Sequence, residues 1–279
     1  MRRLYLCFAL LVAAQVIAGV PKLSRGEIDR RRAALVDSLA ARLGGTTPFT
    51  RDSLERIFAD PRSAFDAAIF EPRPEQTFTF LFGDSSVERG RTFLREHRAV
   101  LEHVAKAFRH VTPELLVALL RIESNFGEYL GEHRVLRVLY TRYLVTPPRE
   151  RKRVSLRVRE LVCFLSLCRE EEWDPFAVVG SWAGAIGLPQ FMPCSFAFVW
   201  DGDGAGEIDL AGSVPDAAWS IGNFLWEHGA WQKDGVRRAV WRYCSKSDAY
   251  VGAAFRYATL LTEPKRTRSS SVSGSRNER

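Results

Sequence analysis

The chain of 279 residues is 46% hydrophobic and carries a formal net charge of +7. That is enough apolar material for one full core with some decoration, and it argues against a disordered or fibrous chain and against two equal domains. The five histidines are scattered and no Cys-x-x-Cys pair occurs, so zinc chemistry is unsupported.

Arg2 and Arg3 precede an apolar run from Leu4 to Val20. A charged start followed by an apolar stretch of this length reads as a secretory signal over residues 1–20, with an uncleaved membrane anchor as the alternative. Cys7 lies too near the start for a lipoprotein signal. Past Val20 no apolar stretch is long enough to span a bilayer, so the mature chain is expected to be soluble in an oxidising compartment. Of the later cysteines, Cys163 and Cys168 fall five apart in a helical stretch and read as buried thiols, and Cys194 and Cys244 are the pair to test as a disulfide. Export also sets nucleic acid aside as a partner. Basic residues gather at 149–159 and 265–279, which favours an anionic polymer and equally fits a solvated face with a disordered tail.

Ser24 and Glu27 have capping-box spacing, and Ile28, Leu35, Leu39 and Leu43 continue an apolar stripe up to Gly44 and Gly45, which predicts an N-terminal helix. A second short helix follows Asp52, with Leu54, Ile57 and Phe58 inward, before Pro61, Pro72 and Pro74 mark an irregular, mostly extended connector. From Val87 to His110 the positions Phe93, Leu94, Leu101, Val104 and Phe108 repeat at helical spacing, and Thr112 with Pro113 starts the next helix. The expected fold is mainly α. It comprises a signal at 1–20, a helical extension and connector at 21–75, a helical body at 76–262 and a basic disordered tail at 263–279.

On the helix TPELLVALLRIES, Leu116, Leu120 and Glu123 stand above one another, so a carboxyl continues an apolar stripe. Burial there raises its pKa, as a general acid requires, whereas the bland alternative points Glu123 at water in the last turn. The segment GSWAGAIGLPQFMP, Gly180 to Pro193, has too many small residues for a helix interior. It is either a close-packed turn or a substrate-groove wall, with Ser181 and Gln190 hydrogen bonding and Trp182 and Phe191 offering apolar surface to sugar rings.

These motifs resemble the lytic murein transglycosylases of the membrane-bound B type. The resemblance runs in order through FADPR, the Glu123 helix, GSWAGAIGLPQFMP, the acidic loop DGDGAGEIDL, DAAWSIGNFLWEHG and SDAYVGAAFRYA, covering about Asp60 to Leu261. It implies a lysozyme-like helical domain, Glu123 as catalytic acid and base, and Ser181, Gln190, Phe191 and Tyr243 as substrate-binding residues. The family's Tyr-Asn pair is Tyr243-Cys244 here, its leading aromatic is Phe78 or Phe80, and its positioned cation is Arg149 or Arg153. The implied partner is the peptidoglycan glycan strand, bound by a monomer; a non-catalytic peptidoglycan-binding or scaffolding protein is the alternative.

In the acidic loop Asp201, Asp203, Glu207 and Asp209 take positions 1, 3, 7 and 9 of an EF-hand-like register, but position 5 is Ala205. A calcium loop lacking that ligand is weakened, and a plain acidic turn explains the residues equally, so no cofactor is expected to be required. The segments expected to line the groove, Trp182 to Pro193 and Trp241 to Ser247, contain no Asp or Glu. Hydrolysing glycosidases usually use two carboxylates, so one glutamate points to substrate-assisted cleavage and 1,6-anhydromuramic acid ends.

Overall fold

A computed structural model describes residues 23–44, 49–71, 77–244 and 246–263. The expected signal at 1–20 and the basic tail beyond 263 lie outside the described residues. Ten α-helices make up most of the rest: α1 (Arg25–Leu43), α2 (Arg51–Ala59), α3 (Asp84–Glu96), α4 (Arg98–Ala107), α5 (Pro113–Ser124), α6 (Val135–Val145), α7 (Arg151–Glu170), α8 (Val214–Leu225), α9 (Gly235–Tyr243) and α10 (Asp248–Thr262). Two two-residue strands, β1 (His133–Arg134) and β2 (Val179–Gly180), pair antiparallel, His133 opposite Gly180.

Local chemistry sets the helix ends. The Ser24 hydroxyl accepts the N–H of Glu27 at the head of α1, and the Thr112 hydroxyl accepts that of Leu115 at the head of α5, with Pro113 in the first turn. The single helical stretch expected from Val87 to His110 is in fact two helices. The chain leaves helical geometry at His97 (φ −108°, ψ 17°) and restarts at Arg98.

α5 is buried on every side from Leu115 to Ser124, the pattern of a helix surrounded by others rather than lying on a surface. α3, α4, α8, α9 and α10 enclose it and share one apolar core with it. A second core forms where Leu35, Leu39, Leu54 and Phe58 of α1 and α2 meet Leu139 and Tyr140 of α6 and Leu161 and Phe164 of α7. Arg31 fastens this layer, donating to the Tyr143 carbonyl at 3.0 Å and to the Thr146 carbonyl at the end of α6.

The glycine-rich stretch forms no helix. β2 leads into tight turns and an isolated bridge between Ile186 and Phe191. Gly131 shows why small residues are needed: its φ is +96°, and a Cβ there would sit 2.1 Å from the Gly180 carbonyl.

Candidate active site

Glu123 occupies the last turn of α5, and Asn125 ends the helix in the left-handed region (φ 53°). The carboxyl has no solvent-exposed surface. Burial pushes its pKa up to about 8, against a smaller downward pull from the Tyr250 hydroxyl, which donates to Oε1. Oε2 is buried and has no hydrogen-bond partner among the described residues. With Oε1 accepting from Tyr250, Oε2 is the oxygen left to carry the proton of the neutral carboxyl.

Tyr250 is the partner of Glu123 that sequence reasoning missed. It stands in the first turn of α10, its N–H bonded to the capping Ser247 hydroxyl at 3.2 Å, and Phe78 meets its ring edge-on at 6.0 Å. Of the two candidate aromatics, Phe78 is thus the one that meets Tyr250, whereas Phe80 lies under the Arg121 guanidinium. Only the spacing of Tyr250 from Ser247 hints at its position; its contact with Glu123 spans 127 residues.

The wall segment closes on the same spot. Tyr243 donates to the Pro189 carbonyl at 2.6 Å and packs on Phe191, with ring centroids 5.9 Å apart. Burial raises the Tyr243 phenol well above its ordinary pKa, and the Glu123 charge adds to that rise. Gln190 is fully buried, bonding through Nε2 to the Gly187 carbonyl at 2.8 Å, while its Oε1 has no partner among the described residues. Ser181 lies at the base of the wall, where its hydroxyl oxygen accepts the N–H groups of Ala183 and Ala185. Trp182 packs beneath the Arg142 guanidinium at 5.6 Å. Thus Glu123, Gln190, Phe191 and Tyr243 come together, and Ser181 shapes the turn that carries the wall.

The disulfide expectation is overturned. Cys194 bonds to Cys163 of α7, with Cα atoms 5.0 Å apart, within the range a disulfide needs. Cys244 remains a thiol beside the site: burial pushes its pKa up to about 11, and the Glu123 charge contributes to the rise. Cys168 is also free, as expected. Of the two candidate cations, Arg153 is held by Glu150, whereas Arg149 is exposed.

In the acidic loop the carboxylates of Asp201, Asp203 and Asp216 converge, with oxygens within 4.8 Å of one another. Asp209 turns instead to the N–H groups of Ala211 and Gly212, and Glu207 lies outside the cluster. Asp201 accepts the N–H groups of Gly204 and Gly206, Asp203 that of Ala205 and the Ser213 hydroxyl, and Asp216 those of Gly202 and Asp209. Position 12 of the loop is Gly212, so the bidentate glutamate of an EF-hand is missing as well as the position 5 ligand. Three convergent carboxylates can hold a cation, but they offer calcium fewer ligands than an EF-hand does.

A family model described as Transglycosylase SLT domain matches residues 49–255. Membrane-bound lytic murein transglycosylase B of Escherichia coli (strain K12) is 30% identical over 206 residues, covering 74% of this chain and 54% of that protein. The chain thus spans about half the length of this curated relative. Among solved structures, soluble lytic transglycosylase SltB1 from Pseudomonas aeruginosa superposes with a TM-score of 0.69 at 23% identity, covering 83% of this chain and 98% of the other. Escherichia coli Slt35 in complex with calcium gives 0.70 at 20% identity, with 83% and 92% coverage. Pseudomonas aeruginosa SltB3 in complex with NAG-anhNAM-pentapeptide gives 0.65 at 22% identity, with 84% and 79% coverage. The structural matches establish the mainly helical, lysozyme-like fold, and the family match over most of the chain establishes that it belongs to the Transglycosylase SLT domain family.

Proposed function

We propose that the chain is a lytic murein transglycosylase, cleaving the β-1,4 bond between N-acetylmuramic acid and N-acetylglucosamine in peptidoglycan with Glu123 as its one acid and base. The observation that carries this reading is the fully buried Glu123, neutral near pH 7, with Oε1 bonded by Tyr250 and Oε2 without a partner among the described residues. A carboxyl buried without a catalytic task is a cost that a binding or scaffolding protein has no reason to keep.

Glu123 gives its Oε2 proton to the glycosidic oxygen as the bond from that oxygen to muramic C1 breaks. The acetamido carbonyl oxygen of the muramic acid closes on C1, and the new carboxylate faces the resulting cationic ring. Glu123 then takes the proton of the sugar's own 6-hydroxyl, whose oxygen attacks C1 and releases the acetamido group. No water is consumed, and Glu123 ends protonated as it began. The intramolecular hydroxyl starts with a high effective concentration and outruns water.

The expected products carry 1,6-anhydromuramic acid ends that borohydride does not reduce, read by mass spectrometry of digested sacculi. Reducing ends labelled by heavy-oxygen water would instead make the enzyme a hydrolase.

The Cys163–Cys194 bond supports placing the chain in an oxidising compartment such as the periplasm. Among the described residues no helix is long and apolar enough to cross a membrane. Catalysis is expected to need no calcium, because the acidic loop lacks ligands at positions 5 and 12. Adding about 1 mM calcium should shift the melting temperature by less than about 2 °C. A larger shift, abolished by Asp216→Asn, would restore the loop as an ion site.

A further inference from the structure

Lys152, Leu156, Arg159 and Cys163 recur at spacings of four, three and four on α7, so they share one face of that helix. At its C-terminal end this face is covered: Cys163 is bonded to Cys194, and the Glu160 carboxylate accepts the Cys194 N–H at 3.1 Å. Cys194 lies only three residues beyond Phe191, so the covered end abuts the wall of the site. Towards the head of α7 the same face is open. Leu156 is 51% exposed, and Lys152 and Arg159 are exposed on either side of it.

The strip carries more positive than negative charge. Glu150 is paired with Arg153, and the Glu160 carboxylate accepts the Cys194 N–H and lies in the field of Arg159, but neither Lys152 nor Arg159 forms an ion pair among the described residues. An exposed leucine between two exposed cations suits a short chain that carries carboxylates and some apolar surface.

We infer that this strip binds the peptide branches of the glycan strand, holding their free carboxylates at Lys152 and Arg159 while the sugars lie along the wall. The inference rests on the glycan-strand reading, in which every muramic acid carries such a branch. Continuity of the strip with the wall through Cys163–Cys194 brings a branch to it. An anionic membrane surface fits less well, because one leucine is a much narrower apolar stripe than an interfacial helix presents.

The test uses the full chain and two forms of insoluble peptidoglycan, peptide-bearing and stripped of peptides by an amidase. Binding is measured by co-sedimentation and turnover by product release. Wild type is expected to bind the peptide-bearing form about tenfold more tightly, a preference that fades at high salt. The charge-reversed double variant K152E/R159E, with its melting temperature unchanged, should lose that preference, raise KM on peptide-bearing strands and leave kcat alone. Lys152→Arg should retain it.

An equal loss on both substrates, or no loss, overturns the inference. So does binding of wild type but not the variant to phosphatidylglycerol vesicles with the peptide preference intact. Charge-dependent sedimentation without any cleavage product would leave the strip standing and refute the enzymatic reading instead.

Discussion

Replacing Glu123 by glutamine is expected to lower turnover on peptidoglycan by about a thousandfold or more while leaving the helical fold intact. The amide matches the carboxyl in shape and can still accept the Tyr250 bond, but it has no acidic proton to give. Folding should tolerate the change well, because the carboxyl is already neutral in its buried setting, with a pKa of about 8. In the unfolded chain a glutamate ionises near pH 4.5, so between that pH and about 8 the folded protein holds one proton more than the unfolded one. The stabilisation is complete below the unfolded value and is lost as pH rises through about 8. Glu123→Gln removes this slope, so the variant's melting temperature should gain on wild type as pH rises across that window. In wild type, turnover should fall as pH rises through about 8, where the acid loses its proton. Residual activity of the variant within a few-fold of wild type would reject Glu123 as the acid.

Removing the disulfide with the double change Cys163→Ser and Cys194→Ser should have the largest effect on stability. The bond closes a chain segment with a sequence separation of 31. On the loop-entropy model that constraint is worth about 3 to 4 kcal/mol. For a chain of this size the melting temperature should drop by about 10 °C. Activity should also fall, by about tenfold, because the bond pins the segment that follows Phe191 to α7 and a wall set slightly wrong costs rate. A scan with and without reductant, compared with the double variant, reads both effects. A drop of less than about 2 °C would mean that the glycine-rich turns hold the wall without the bond.

What could be read from the chain alone was local. The Ser24 and Thr112–Pro113 caps, the apolar stripe beneath Glu123 and the refusal of the glycine-rich segment to be helical all depend on neighbours within a few residues. The break at His97 carried no proline or glycine to announce it, so two helices read as one. Cys163 lies in the middle of a helix, and which face it turns to residue 194 depends on how α7 packs. Tyr250 faces Glu123 only because α10 docks on α5, a choice made by the shared core. Asp216 escaped the acidic-loop register because it belongs to the next helix, yet its buried carboxylate gathers the loop's N–H groups.

The second core makes the N-terminal helices more than an appendage. Leu139, Tyr140, Leu161 and Phe164, on the two helices that support the wall, are buried together with α1 and α2. A recombinant fragment begun at residue 76, where the body starts by its sequence pattern, would hand these side chains to water and remove the Arg31 bonds at the end of α6. A fragment meant for swapping between relatives or for isolated expression should therefore keep the chain from Ser24, the cap of α1, onward. A chimera joined at the connector would have to carry matching partners for α6 and α7 on its other half.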